Sequence, residues 1–240
     1  MTRTSKQWSV VLVILLFFAI RSEAAPSGLQ YAVTWPNGFA YFFNGTGYVK
    51  YNMDPVHEGV VAGYPQPIQG NWPGLAQAIP IYNTAVVWPN GFAYFFMGKS
   101  YVKYNMDPAH EGVVAGPSPI KGNWPGLAEA FPAGVDAAVV WPNGFAYFFK
   151  GTKYVKYNTD PAHEGVVAGP SPIKGNWPGL AEAFPTGIDT VVTWPNGFAY
   201  FFKGTKYVRY NMDPAHEGVV AGPSPIRGNW PGLAEAFRLP

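Results

Sequence analysis

One set of titratable residues recurs four times at a fixed spacing. It reads Asp54, His57 and Glu58, then Asp107, His110 and Glu111, then Asp160, His163 and Glu164, then Asp213, His216 and Glu217. Imidazole beside carboxylate is the pairing used for general acid–base work and for binding transition metals. A catalytic centre, however, brings different residues to one point. Here each set copies the others, so a repeating fold would place one set per copy around a rim. The histidines then read either as loop side chains with a local partner or as four equivalent surface sites for a metal or ligand. Each aspartate precedes a proline and reads as a turn residue more readily than as an acid. There is no cysteine, which excludes thiol catalysis, thiolate metal sites and disulfides. No triad or metal set is confined to one copy, so the chain is expected not to be an enzyme.

The aromatic and basic residues repeat too. Trp35, Trp88, Trp141 and Trp194 form one ring of candidates for ligand binding: an aromatic cage for a cation, or a platform for a flat ligand. The same four could instead pack against neighbouring repeats. Trp72, Trp124, Trp177 and Trp230 form a second ring and read as core. Lys50, Lys103, Lys156 and Arg209 lie between tyrosines, with stems on apolar surface and charge in water. The Gly-rich turns lack a following helix and are not phosphate loops. Asn44-Gly45-Thr46 is an N-glycosylation sequon, absent at the equivalent Met97, Lys150 and Lys203.

The elements that must position these residues follow from the period. W-P-N-G-F-A-Y-F-F occupies 35–43, 88–96, 141–149 and 194–202, with successive tryptophans 53 residues apart. A fixed period with turn signals in each copy marks a repeat architecture. Within the first copy, 32–35 reads as a short strand and Pro36-Asn37-Gly38 as a tight hairpin turn. A second strand spans 39–43, apolar on both faces. A third spans 48–51. A weak outer strand is expected near 60–62, kept from the sheet centre by Pro65 and Pro67. A helical turn at 71–76, with Asn71 as N-cap, would cover the outer edge. Such a sheet cannot bury both faces alone, and stacking four radially does. The fold class is therefore all-β: a four-bladed propeller, each blade a four-stranded antiparallel meander plus a short outer helix. The blades are expected at 29–80, 81–133, 134–186 and 187–240.

Residues 1–24 read as a separate object. Arg3 and Lys6 precede an apolar run at 8–20, followed by the small residues of a cleavage site. A spanning helix needs about 20 apolar residues, so a cleaved signal peptide and a secreted, extracellular product are expected. The remaining 13 basic and 13 acidic residues balance. No basic run points to nucleic acid, and no second apolar run points to a membrane span.

The repeat resembles the hemopexin family. The resemblance rests on Asp136-Ala137-Ala138, Tyr147-Phe148-Phe149, Gly151, the Tyr154 and Tyr157 pair, the prolines before Ile173, and Trp177-Pro178-Gly179-Leu180. It covers nearly everything after the signal. It implies a central channel holding a cation, Ca²⁺ or Na⁺, on main-chain carbonyls of the inner strands. One ring of these would fall at Gln30, Asn83, Asp136 and Asp189, and a second at Ala32, Ala85, Ala138 and Val191. Many animal members join first and last blades by a disulfide, which this chain cannot form. Closure must come from packing of the 30–43 region on the fourth blade. Haem transport by paired domains does not carry over, although plant seed members make haem and polyamine ligands to try. The expected function is a secreted, non-catalytic binding module for a small ligand, a glycan or a protein. The alternative is a structural or storage protein without a specific ligand.

Overall fold

A computed structural model describes residues 28–78 and 82–240. The expected signal at 1–24 and the expected blade boundary at 80/81 lie outside the described residues. Four antiparallel sheets follow one another. The first holds β1 (Tyr31–Thr34), β2 (Phe39–Asn44), β3 (Gly47–Asn52) and two short outer pieces, β4 (Gly59–Val60) and β5 (Gln66–Pro67), before helix α1 (Leu75–Ala78). The second holds β6 (Thr84–Val87), β7 (Phe92–Met97), β8 (Ser100–Asn105) and β9 (Gly112–Pro119), then α2 (Leu127–Ala130). The third holds β10 (Ala137–Val140), β11 (Phe145–Lys150), β12 (Lys153–Asn158) and β13 (Gly165–Pro172), then α3 (Leu180–Ala183). The fourth holds β14 (Thr190–Thr193), β15 (Phe198–Lys203), β16 (Lys206–Asn211) and β17 (Gly218–Pro225), then α4 (Leu233–Ala236). Each sheet is a meander of the expected kind, and the four form the expected propeller.

The inner hairpin shows how composition becomes geometry. The Trp35 amide donates to the Phe39 carbonyl at 2.8 Å, and the Gly38 amide to the Trp35 carbonyl at 3.2 Å. Pro36 fixes φ near −65°, which rules out a hairpin turn with two consecutive positive-φ residues in the middle. Only Gly38 takes a positive φ, at 84°, so Asn37 does not share that task as its sequence suggested. Its side chain ties the turn down instead. Oδ1 accepts from the Phe39 amide at 3.2 Å, and Nδ2 donates to the Tyr41 hydroxyl at 2.9 Å.

The second strand is apolar on both faces because both faces are buried. Tyr41 and Phe43 pack with Phe95 and Tyr104 of the second blade. Ala40 and Phe42 pack with Phe202 and Trp230 of the fourth. Successive side chains thus enter opposite seams. Trp72 sits in the first seam, 4% exposed. Its ring centroid lies 5.2 Å from Phe43, 5.3 Å from Trp35 and, across the seam, 5.5 Å from Tyr104. The second tryptophan ring is thus core, as expected, and it joins adjacent blades.

Two local expectations are corrected. The outer strand is not uniformly weak: in blades two to four it runs eight residues through two prolines. An edge strand tolerates proline on its unpaired side, and shifts of register accommodate it. Asn71 does not cap the helix. Its Nδ2 donates to the Pro67 carbonyl at 2.9 Å. In the other blades the cap position is a left-handed glycine with no side-chain bond, as at Gly126.

Closure needs no special chemistry. The Val113 amide donates to the Pro73 carbonyl at 3.0 Å, Val166 to Pro125 at 3.0 Å, Val219 to Pro178 at 2.9 Å, and Val60 to Pro231 at 3.0 Å. The last bond joins the first blade to the fourth in the manner of the other three. Phe42 also stacks edge-on against Phe202 at 5.8 Å, as expected of the 30–43 region.

Glycines mark where backbones nearly touch. Gly187 has φ +91°, and a Cβ there would lie 2.0 Å from the Gly151 carbonyl oxygen. Gly175 has φ +81° with open space around it. Gly187→Ala is expected to lower stability by about 3 kcal/mol, and Gly175→Ala by about 1 kcal/mol. Denaturant midpoints of the two variants check this; equal losses would show that the close approach is unimportant.

Candidate functional site

The innermost strands β1, β6, β10 and β14 stand side by side around the axis. Side chains of each sheet go into the seams, so the free edge of the inner strand faces inward. In an antiparallel pair, hydrogen-bonded and unbonded positions alternate. The Trp35–Phe39 bond fixes the phase, so Ala32, opposite Phe42, turns its peptide groups away from β2. The Ala32 amide in fact donates to Thr190 Oγ1 of the fourth blade at 2.9 Å. Ala85, Ala138 and Val191 hold the same register against Phe95, Phe148 and Phe201. A cavity of about 290 Å³ lies here, lined by Val33, Ala85, Ala138 and Val191 among others.

The other expected ring sits at one mouth. Gln30, Asn83, Asp136 and Asp189 line a second cavity of about 350 Å³. Their side chains are already engaged. Gln30 Oε1 accepts from the Gly45 amide at 2.6 Å, and Asn83 Oδ1 from Gly98 at 2.7 Å. Asp136 Oδ2 accepts from Gly151 at 2.8 Å, and Asp189 Oδ2 from Gly204 at 2.7 Å. Each thereby holds the turn between the second and third strands of its blade. Lys150 and Lys203 add ion pairs to Asp136 and Asp189, both at 2.5 Å. These pairs were not foreseen, yet the repeat carried a signal. Lysine occurs at 150 and 203, in the two copies with aspartate, and not at Asn44 or Met97. With both carboxylates neutralised, an axial cation would rely on peptide oxygens, which suit hard cations. Among the described residues, no group of three or more His, Cys, Asp or Glu could hold a metal.

The first tryptophan ring is placed in the seams. Trp35 is 7% exposed and lies edge-on to Tyr41 at 5.8 Å and Trp72 at 5.3 Å. Trp88, Trp141 and Trp194 are equally buried. Their rings are committed to neighbouring aromatics, so the packing alternative describes their position better than an open cage does. The basic residues of the third strand lie over phenylalanine rings: Lys50 over Phe39 at 3.8 Å, Lys103 over Phe92 and Lys156 over Phe145 at 3.7 Å, and Arg209 over Phe198 at 4.7 Å. Asn44 is half-buried at the end of β2, with Thr46 exposed beside it.

Each histidine has a local partner. His57 Nδ1 is 3.1 Å from Asp54 Oδ2, and the other three pairs repeat this within 3.0–3.1 Å. Asp54 Oδ1 also accepts from the Val56 amide at 3.0 Å. That amide, and then the histidine, hold the Asp54 carboxyl below its ordinary range. The pairs stand exposed, one per blade. The neighbouring glutamates behave oppositely: partial burial raises Glu58, Glu111, Glu164 and Glu217. Glu111 lies beside Tyr104, whose hydroxyl is fully buried.

Comparison with known proteins adds three findings. A family model described as Hemopexin matches residues 32–77, 135–181 and 188–234, more than half the chain. The hemopexin fold protein CP4 from cow pea is 26% identical, with a TM-score of 0.76, over 87% of this chain and 98% of its own. Two Cicer arietinum structures share the fold. One, a plant albumin described as showing hemagglutination, is 22% identical with a TM-score of 0.77, over 88% of this chain and 99% of its own. The other, a lectin described as having two metal binding sites, is 21% identical with a TM-score of 0.68, over 81% of this chain and 91% of its own. The model's match omits the second blade, whose strands and registers nonetheless repeat those of the third.

The glutamates give a pH test. An acid whose folded pKa is raised favours the folded state at low pH. That contribution is lost as pH rises from the ordinary value of 4.5 through the folded value. Glu111→Gln is therefore expected to melt higher than the parent at pH 7 and alike at pH 4. A variant that melts lower at pH 7 would contradict burial as the dominant influence.

Proposed function

Taking as premise that this chain belongs to the hemopexin family, we propose that it is a secreted, non-catalytic binding module with a cation on the propeller axis. The observation that carries this reading is the inward-facing edge of the four inner strands. An unpaired strand edge presents peptide groups that need partners. Carbonyls of Ala32, Ala85, Ala138 and Val191 would supply one ring of oxygens, and those of Gln30, Asn83, Asp136 and Asp189 a second. Because Lys150 and Lys203 offset the nearby carboxylates, the site offers dipoles without net charge. That composition favours Na⁺ or weakly held Ca²⁺ over a tight divalent site.

The folding unit in this reading is 25–240, with blades at 29–80, 81–133, 134–186 and 187–240. Secretion rests on the basic and apolar pattern of 1–24. It makes Asn44 a candidate for glycosylation. Among the described residues, no helix is long and apolar enough to cross a membrane. The ligand class is a small molecule, a glycan or a protein. The Cicer arietinum proteins described with metal sites and with hemagglutination recommend metal ions and cell-surface glycans as first probes, with haem and polyamines beside them.

Thermal unfolding of residues 25–240 tests the reading. A ligand that binds the native state raises the midpoint once its concentration passes Kd. Na⁺ or Ca²⁺ is expected to raise it, with the Ca²⁺ effect reversed by chelator. If neither ion, nor haem, spermine or any glycan, moves the midpoint, the small-ligand and glycan reading fails and a protein partner or a structural or storage role takes its place.

A further inference from the structure

The balanced charge of the sequence conceals a segregation that appears only once the strands are paired. The turns between second and third strands lie at one end of every blade. Pairing of Ser100 with Pro119, and of Lys153 with Pro172, brings the end of the outer strand to the same face. The Asp-Pro-x-His-Glu loops lie on the opposite face. They join the other ends of those strands, where Asn105 pairs with Gly112. All four Asp and four Glu of the repeated loops thus share one face. Lys50, Lys103, Lys156 and Arg209, spent on phenylalanine rings, are nearest to them.

The first face gathers most of the remaining cations. Lys150, Lys203 and Arg227 are held by Asp136, Asp189 and Glu235. Lys99, Lys121, Lys153, Lys174 and Lys206 are exposed and form no ion pair among the described residues. They belong to blades two, three and four, making a crescent.

The repeat supplies its own control. The first blade has Thr46 where the second has Lys99, Gly47 in place of Lys153 and Lys206, and Gln69 in place of Lys121 and Lys174. Its hairpin keeps the same register, with Asn44 opposite Gly47 as Lys150 is opposite Lys153. The fold therefore does not require these charges. Two of the basic blades also carry a groove beside their lysines. One of about 450 Å³ is floored by Ile120, Phe131 and Pro132, with Lys99 and Lys121 outnumbering Glu129 at its rim. Its equivalent of about 410 Å³ has Ile173, Phe184 and Pro185 with Lys174 and Glu182.

The geometry points to a binding face for an extended anionic polysaccharide on this crescent, with sugar rings against the apolar groove floors and carboxylate or sulfate groups on the lysines. Lysine is a mobile point charge suited to anions spaced along a chain. Among the described residues, the large exposed hydrophobics are Val56, Val114, Val167 and Val220, in an acidic-face loop and on outer edge strands. Among those residues the crescent thus has no large exposed apolar side chain to enter a bilayer and no exposed aromatic on which a base would stack. This surface is separate from the axis, so it stands or falls independently of the axial cation.

The full chain is titrated with a heparin fragment and with polygalacturonate at about 50 mM salt, where surface charge is weakly screened. Both are expected to bind, and a neutral galactan is not. The quadruple variant Lys121→Gln, Lys153→Gln, Lys174→Gln, Lys206→Gln is expected to bind at least about tenfold more weakly. Lys103→Gln with Lys156→Gln, on the acidic face, should leave binding unchanged, and a melting curve for each variant confirms that it folds. The inference is overturned if the parent binds neither polyanion, if both variants lose equally, or if galactan binds as well. Tighter binding to duplex DNA or to phosphatidylserine vesicles would also overturn it. So would salt-sensitive self-association, abolished by the quadruple variant, which would make the acidic face of a second copy the partner.

Discussion

Everything in this protein depends on filling the seams between blades with flat side chains. A sheet that is apolar on both faces must find two neighbours, and a ring of such sheets is the arrangement in which each does. Trp72, Trp124, Trp177 and Trp230 stand at the centre of this packing. Each lies edge-on to several rings of its own blade and reaches rings of the next. Edge-to-face contacts of this kind add to the area buried. With no disulfide to hold the ring, these contacts and one peptide hydrogen bond per seam unite the blades.

The seams also dictate what the axis contains. Because sheet faces are consumed by packing, strand edges are what remains to face inward. A group of peptide dipoles around an axis is therefore a by-product of closing the ring, and its chemistry is nearly independent of which side chains are present. The same logic explains why the mouth residues could change from Gln30 and Asn83 to Asp136 and Asp189 between blades. Their role towards the glycine amides of the adjoining turn needs only an acceptor oxygen, and where that oxygen is charged a lysine accompanies it.

The architecture was legible because its signals are redundant: period, turn residues and doubly apolar strands all repeat four times. What escaped was whatever depends on a choice among local partners. Asn37 looked like a positive-φ turn residue and Asn71 like a helix N-cap, and both instead use side-chain amides to reach groups four residues away. The first tryptophan ring follows a strand that borders the axis, which suggested a mouth. Its rings are buried against seam aromatics, while Trp35 also borders the axial cavity. The prolines correctly placed the outer strand at the sheet edge, but its eight-residue length in blades two to four was not legible, since an edge has a side on which proline costs no bond. Charge was the least legible property, since a balanced total says nothing of which ends of the blades the charges occupy.

The Val60–Pro231 bond repeats the other three seam bonds in partners and length. Nothing in a seam therefore distinguishes a blade of the same chain from the corresponding blade of another molecule. What selects the fourth blade as neighbour of the first is the tether, which keeps it nearby at high effective concentration. Ring closure is in this sense a contest between intramolecular proximity and protein concentration. When many chains fold close together, exchange of blades between molecules is the natural form of misassembly.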